Sequence, residues 1–403
     1  MSTSLLYHGF GIRQHRLIGS EYPAGHIVFR LEQKKRIRCP VCGSHEVVQN
    51  GTTHREFRHV PIGTKRVMLS WDVPRVKCER CEAVRQVKID FAEPKRQHTK
   101  GFERYALELL KLGTIDSVAK HLGVCWDTVK DIEKRYLGKR FGKPKLKQVK
   151  RIAIDEFSLR KGHAYMTVVI DYDTGVIIHV AKGKGVASLA EFWPRLRRSK
   201  AKVAAASIDM SPAYIAALRE NLPEAAIVFD HFHVVKLYND KLSLFRQALW
   251  HTTRSDKERK VIKGLRWLLL KNRCNLDSER QEAERLAEAL RINQPLATAY
   301  YLKEKLQLLW SCNSATEAQR LLDEWVAEAK ASGIDFLSSF ADTLLAHAYG
   351  ILAYYEHPIS SGKLEGINNK IKVMKRRAYG YRDDEFFSLK LYSLHTQGSS
   401  CTH

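Results

Sequence analysis

The chain has 403 residues, 44% of them hydrophobic, enough for two or three domains with substantial cores. Its formal charge is +24, and residues 1–150 hold 31 Lys and Arg against 15 Asp and Glu; so concentrated an excess favours a polyanionic partner, because neutralised phosphates release counterions. No charged-then-apolar leader opens the chain, no apolar run approaches roughly 18 residues, and Cys125, Cys274, Cys312 and Cys401 are scattered, which argues against secretion, a membrane span or a disulfide framework and for a reducing cytoplasm.

Residues 1–95 read as short strands and loops around two tight turns, Cys39-Pro40-Val41-Cys42 and Cys78-Glu79-Arg80-Cys81. Each turn offers two thiolates, and two such turns close a tetrahedral site for a structural Zn²⁺ with no position left open for a substrate. A redox pair would lie near a βαβ pattern, which is missing here. The 35 residues between the pairs exceed the usual gap. A hairpin of Arg55–Val60 and Lys65–Val76 across Pro61-Ile62-Gly63-Thr64 accommodates them, and the alternation in Val67-Met68-Leu69-Ser70-Trp71-Asp72-Val73 supports extended structure.

From Gly101 the period becomes helical: one helix to Leu112, a break at Gly113, then Ser117 to Val129. Ala119, Gly123 and Val129 fall at helix-turn-helix separations. The small Ala lets two helices cross closely, the Gly makes the left-handed turn, and the Val seats the second helix. That second helix, about Trp126 to Tyr136, presents Trp126, Asp127, Thr128, Lys130 and Lys134 to a major groove; a plain helical hairpin is the bland alternative. Lys139–Lys150 then holds six basic and no acidic side chains, with Gly142 and Pro144, and reads as an extended linker along phosphates or a solvated hinge.

A different domain follows. Strands are expected at Val149–Phe157, His163–Tyr172, Val176–Lys182, Val203–Asp209 and Ala226–Asp230, with helices at 186–198 and 212–221. Three strands in sequence and then alternating helix and strand is the order of an RNase H-like sheet. Lys236 to about His357 is almost wholly helical, including Thr316–Lys330 and Phe336–Tyr355. Trp250 and Trp267 in this stretch read as core. Ser360-Ser361-Gly362 breaks the pattern before a last helix at 363–375. The expected architecture is a multidomain α+β chain: a zinc ribbon (1–95), a helix-turn-helix with basic linker (96–148), an RNase H-like core in two parts (149–235 and 362–403) and an all-α insertion (236–361).

Asp155 and Asp209 each end an apolar strand, and a charge placed there is costly unless it faces a site mouth, a metal or a counter-ion. If the strands are neighbours, both carboxylates emerge at one edge. Glu365, on a helix packed against that edge, then completes a cage of hard oxygens for two Mg²⁺ or Mn²⁺ ions, the arrangement for an in-line phosphodiester displacement. Glu156 points to the opposite face by alternation. Asp171 and Asp173 read as turn chemistry, and Asp383, Asp384 and Glu385 as the start of a closing helix. Lys370–Arg382 holds six basic side chains and no acid, interleaved with Tyr379 and Tyr381. Lys370, Lys372, Lys375, Arg376, Arg377 and the two tyrosines are therefore candidates for backbone neutralisation and base stacking.

Cys39–Cys42, Cys78–Cys81, the helix-turn-helix, Asp155-Glu156-Phe157, Phe229-Asp230-His231-Phe232-His233-Val234-Val235-Lys236 and Leu364-Glu365-Gly366-Ile367-Asn368-Asn369-Lys370-Ile371-Lys372 together resemble the ISL-three family of bacterial insertion-sequence transposases, in order over nearly the whole chain. The resemblance implies a DDE catalytic core with Asp155, Asp209 and Glu365 as its acids and an α-helical insertion before the last. Asp230 and His233 resemble an acid-x-x-His signature whose His lies close to the site; physically, His233 can donate to a phosphate or support the Asp209 loop, and a purely structural role fits as well. The implied activity is divalent-metal-dependent cleavage at terminal inverted repeats and 3′-OH strand transfer into target DNA. The partners are double-stranded DNA and at least a second copy of the chain; the setting is the bacterial cytoplasm and nucleoid. The alternatives are a DNA-binding regulator without catalysis and a nuclease of the same fold.

Overall fold

A computed structural model describes residues 5–34, 36–159, 165–360 and 362–395, which fall into two units, 1–136 and 137–403. The first unit opens with a short helix, α1 (Leu5–His8), and is built on the hairpin of β3 (Val47–Ile62) and β4 (Lys65–Cys78). Its turn is Gly63-Thr64, with Gly63 at φ +56°, a left-handed conformation that glycine adopts without strain. The first strand begins eight residues before the predicted start at Arg55, because a bulge between Gln49 and Thr52 lets the ladder continue to Val47↔Cys78. β1 (His15–Glu21) and β2 (His26–Gln33) pair antiparallel, β2 runs parallel to β4, and β5 (Val84–Gln86) adds to the far end of β4. Phe57, Val67, Leu69, Trp71 and Val73 form the apolar face of this sheet.

Three helices follow: α2 (Lys100–Leu112), α3 (Ile115–Leu122) and α4 (Trp126–Phe141), the last running past the end of the unit at 136. Thr99 caps α2 by accepting the Phe102 N–H, and its hydroxyl also pairs with buried His59 on β3 at 2.7 Å. Ala119, Leu122, Val129 and Ile132 pack against Phe102 and Ala106. Gly123 turns the chain at φ +61° and returns its N–H to the last carbonyls of α3. The second helix of this pair runs on to Phe141, so Lys139 and Arg140 are helical rather than extended. Cations in a last turn favour the helix dipole, and Gly142 and Pro144 then end it.

The second unit centres on a sheet of order β10-β9-β6-β7-β8. β6 (Arg151–Ser158), β7 (Tyr165–Asp171) and β8 (Val176–Lys182) are antiparallel neighbours, whereas β9 (Ala205–Ile208) and β10 (Ala226–Phe229) run parallel to β6. The expected start of the second strand at His163 lies outside the described residues. Side-chain alternation splits two cores. Ile152 and Ile154 face α5 (Phe192–Ser199), α6 (Pro212–Asn221) and α7 (His231–Thr252), while Ala153 and Val168 face α14 (Gly362–Arg377) and α15 (Asp384–Tyr392).

Between these lie α8 (Asp256–Gly264), α9 (Glu282–Ile292), α10 (Gln294–Gln307), α11 (Ala315–Ala331), α12 (Asp335–Ala346) and α13 (Ala348–Leu352). Their buried side chains continue the α7 core without a break. The single helix predicted over Phe336–Tyr355 is bent by 66° at His347. The bend seats α13 on β10: His347 and Tyr349 stack on Phe229 at 5.1 and 5.4 Å, and only a glycine fits at 350. No single helix among the described residues is long and apolar enough to cross a membrane. Trp250 packs against the core as expected, but Trp267 does not; it is 65% exposed, in the chain that follows α8. Asp383 caps α15, as its polar start implies. Ser361 of the predicted break and the tail Gln397–His403 lie outside the described residues.

Candidate active site and zinc centre

The Val47↔Cys78 pair at the open end of the β3–β4 hairpin closes the long gap between the cysteine turns, because the first turn leads into β3 and the second leaves β4. Each turn is held by backbone bonds: Cys39 N–H to Ser44 O, Gly43 N–H to Cys39 O, and Cys78 N–H to Ala83 O. Glu79 N–H to Glu46 O, at 2.9 Å, ties one turn to the other. Cys39 and Cys81 sulfurs are 3.6 Å apart, as are those of Cys42 and Cys78, and all four lie within 4.8 Å of one another. A tetrahedral zinc with Zn–S bonds near 2.3 Å sets its sulfurs about 3.8 Å apart, so the four thiols fit the ion. The Cys42 backbone N–H draws the Cys39 thiol down, while Cys81, against the Ala83 N–H, is pushed up to about 12 by its contacts with the other sulfurs, so a bound cation would be what holds all four as thiolates.

The acids of the second unit are placed by strand register. β6 and β9 pair as Ala153↔Ser207, and two further steps along both strands bring Asp155 level with Asp209. β9 and β10 pair as Ile208↔Phe229, so the next step sets Asp230 beside Asp209. Three aspartates thus stand in one row across three parallel strands. Asp209 and Asp230 directly follow β9 and β10, at the carboxyl edge where open α/β sheets place ligands. Asp155 does not end its strand as expected but lies within β6, which runs on to Ser158 against β7. Asp230 is buried and caps α7 by accepting the Phe232 N–H at 3.1 Å. His233 follows in the first turn of that helix, half-buried, and its charge would act on both Asp155 and Asp209.

Asp155 is gripped at both oxygens. Oδ1 accepts the Glu156 N–H and Oδ2 accepts Asn368 Nδ2, each at 2.7 Å. Burial raises the Asp155 carboxyl above its usual range, against those two bonds, and the Asp230 charge adds to the rise. Burial likewise raises Asp209, eased by the Ser211 N–H and worsened by Glu156 and Asp155. Glu156 faces the other way, as alternation requires: it accepts from Gly185 N–H at 3.0 Å and from the Tyr214 hydroxyl.

Glu365 lies exposed in the first turn of α14, one helical turn before Asn368. It does not join Asp155 and Asp209 in a closed ligand cluster; among the described residues, the four cysteines alone gather three or more His, Cys, Asp or Glu ligand atoms within 4.8 Å. Asn368 is the residue that sequence reasoning passed over. Its i+3 spacing from Glu365 on one helix face was the available signal.

The residues expected to face nucleic acid divide. Trp126 and Asp127 are exposed at the start of α4, Thr128 is half-buried, and Lys130 Nζ lies 5.4 Å from the Trp126 ring centre. Lys134 is half-buried one turn later. On α14, Lys370, Lys372, Arg376 and Arg377 are exposed, and Tyr379 is 99% exposed at φ +51°, a conformation costly for tyrosine. Two others are taken up by the fold itself. Lys375 donates to the Ser158 and Leu159 carbonyls at 3.0 and 2.6 Å, and Tyr381 packs on Phe387 with ring centres 4.7 Å apart.

Three family descriptions match in chain order: a zinc-finger of transposases over 35–81, a helix-turn-helix domain of transposase family ISL3 over 87–137, and a transposase domain over 152–391. The chain belongs to the ISL3 family of transposases. This is the ISL-three family that its motifs resemble. The transposase is similar to that of insertion sequence element IS1001 of Bordetella parapertussis, 36% identical over 96% of this chain and 95% of the relative. It is also similar to the IS1557 transposase of Mycobacterium tuberculosis (strain CDC 1551 / Oshkosh), 29% identical over 89% of this chain and 86% of the relative. A Drosophila P element transposase strand transfer complex overlays 74% of the transposase and 92% of its own chain, at 11% identity and a TM-score of 0.40. The helix-turn-helix makes this transposase a DNA-binding protein, and its zinc-finger match coincides with the four-cysteine cluster.

Proposed function

We propose that this transposase cuts DNA at the terminal inverted repeats of its insertion sequence and joins the freed 3′-hydroxyls to target DNA, using Asp155, Asp209 and Glu365 as catalytic acids with Asp230 and His233 in support. The observation that carries the reading is the Asp155–Asn368 hydrogen bond, which brings α14 to the row of aspartates within one turn, about 4.5 Å of helix rise, of Glu365. The strand order, with β6 central, β7 antiparallel and β9 and β10 parallel to it, supports an RNase H-like core over 149–235 and 362–403, with 236–361 as an α-helical insertion. The zinc ribbon (1–95) and the helix-turn-helix with its basic linker (96–148) precede it.

The donor set fits a divalent cation. Carboxylate oxygens suit Mg²⁺ and Mn²⁺, and two half-buried acids whose pKa values are raised by burial, with Asp230 adding to the rise at Asp155 and Glu156 and Asp155 to that at Asp209, are relieved by a nearby positive charge. Mg²⁺ commonly holds one or two carboxylates and takes the rest of its shell from water and substrate phosphate, so the open Glu365 position is compatible with a shell completed on DNA. Bound there, the cations would activate the attacking oxygen and stabilise the leaving one. The chain's own part is to hold Asp155 in one orientation, to keep Asp209 level with it, and to set the His233 imidazole where it can donate to a phosphate. Cleavage and joining are one displacement with different nucleophiles, so one site serves both and no covalent protein–DNA link is needed.

Recognition falls to α4, through Trp126, Asp127, Thr128, Lys130 and Lys134, and to the exposed cations and Tyr379 at the end of α14. Lys375 and Tyr381 support that segment from inside. Two ends must be handled together, which calls for a dimer or larger assembly on DNA in the bacterial cytoplasm. The test uses end-bearing duplexes in Mg²⁺. Asp155→Ala, Asp209→Ala and Glu365→Ala should each keep end binding and lose strand cleavage and the joining of pre-cut ends. Cleavage at the wild-type rate by any of the three removes that residue from the mechanism.

A further inference from the structure

Arg246, on α7, is only 8% exposed, yet among the described residues its guanidinium has no counter-ion. Nη1 reaches the Ile262 carbonyl at 3.4 Å, the long end of hydrogen bonding, and buried Nε has no partner among the described residues. No carboxylate forms an ion pair with it among them either. Its charged neighbour is Arg266, and that like charge adds to burial in pushing the Arg246 pKa down. The Ile262 carbonyl that Nη1 reaches lies four residues, about one helical turn, before Arg266, which brings the two guanidinium groups into one neighbourhood where no carboxylate pairs with Arg246 among the described residues. Buried groups left unmet in this way are few in folded proteins, and an absent ion is one of the standard reasons for them.

The surroundings name the ion's class. Arg266 is exposed and lies over the Trp267 ring, 4.8 Å from its centre, and Trp267 itself is largely in solvent. Lys257, Lys260 and Lys263 on α8 are exposed nearby in sequence. Guanidinium forks match phosphate oxygens, and an open indole beside them offers a face to a base. Arg246 also lies on the same helix as His233, thirteen residues further along, about 20 Å of rise, or roughly six base-pair steps.

We infer that Arg246 and Arg266 seat a phosphate of nucleic acid and that Trp267 stacks on the neighbouring base. The seat rests on the transposase reading above for its ligand, and it extends contact with DNA along α7 from the aspartate row into the helical layer.

The experiment uses the full-length zinc-loaded chain and a labelled 20-nucleotide single strand, with binding followed by anisotropy at several KCl concentrations. Arg266→Ala should lower the slope of log affinity against log salt by about one contact's worth. Trp267→Ala should weaken binding roughly tenfold, while Trp267→Phe keeps the affinity and loses the quenching of tryptophan emission. Both positions are exposed, so these variants should fold; Arg246→Met adds a third arm if it folds too. Wild-type affinity and slope in both Arg266→Ala and Trp267→Ala would overturn the seat. So would displacement of the oligonucleotide by millimolar inorganic phosphate at matched ionic strength, which would make it a site for a free anion. A wild-type chain that binds the strand through this seat but joins no ends would instead remove the proposed chemistry and leave the seat standing.

Discussion

Asn368 Nδ2 donates to Asp155 Oδ2 at 2.7 Å, across 213 residues of sequence, while its own Oδ1 is buried with no partner among the described residues. The amide therefore orients one carboxylate and keeps a buried acceptor of its own. Groups that orient a metal-binding carboxylate are commonly worth 10- to 100-fold in affinity or activity. Asn368→Ala should slow strand cleavage by about that factor and raise the Mg²⁺ concentration for half-maximal rate. Asn368→Asp should do no better, because it loses the donor and sets a like charge against Asp155. A wild-type rate and Mg²⁺ dependence in Asn368→Ala would sink this role.

The zinc centre makes a separate prediction. The four thiols face one another at the hairpin's open end, and beyond the few backbone bonds of the turns a bound zinc is what would tie them, so removing the metal should loosen that end of the sheet. Native mass spectrometry should find one zinc in fresh reduced protein, and Cys42→Ser or a strong chelator should lower the first thermal transition and weaken DNA binding. Because thiolates must stay deprotonated, zinc should also be released as the solution is acidified.

His59 should make stability pH-dependent in one direction. It is buried against Thr99, and burial lowers its pKa from 6.5 to about 4. The folded state thus binds fewer protons than the unfolded state, and the contribution is present above 6.5 and lost as pH falls from there towards 4. The slope for one such group approaches about 1.4 kcal/mol per pH unit. Urea unfolding of wild type against His59→Gln between pH 6.5 and 5 should show a steeper fall for the wild type, before zinc release dominates. Parallel curves would show that His59 does not titrate in this way.

Gly350 tests the seat of α13 on β10. A Cβ there would lie 2.4 Å from two carbons of the Phe229 ring and 3.2 Å from the Ile227 carbonyl. The ring is buried and rigidly packed, so Gly350→Ala must move α13 or β10, at a cost of about 1–3 kcal/mol. Because Asp230 directly follows Phe229, cleavage should fall along with melting temperature. An unchanged melting temperature would mean that the contact relaxes freely.

Local chemistry was legible in the sequence where it depends on neighbours in the chain. The cysteine turns, the Ala119–Gly123–Val129 spacing and the polar start at Asp383 are all decided within a few residues. The alternation that turns Glu156 away from Asp155 follows from the two-residue period of a strand. What failed depended on partners far away. Trp267 looked like core because its side chain is apolar, yet it is 65% exposed. Tyr381 and Lys375 looked like surface, but Phe387 and the end of β6 claim them. The helix over Phe336–Tyr355 looked continuous because its own residues do not show the Phe229 ring on which His347 and Tyr349 pack.

The sequence by itself determined which residues could do chemistry: thiols paired by tight turns, acids set in or after apolar strands, and cations gathered on particular segments. It could do so because those signals are carried by residue type and short spacing. Tertiary structure alone decided which of them meet. Strand register set Asp155, Asp209 and Asp230 in one row, and α14 packing against β6 brought Asn368 to Asp155. Register and packing are settled by the burial of apolar faces contributed from hundreds of residues apart, and no local window contains that information.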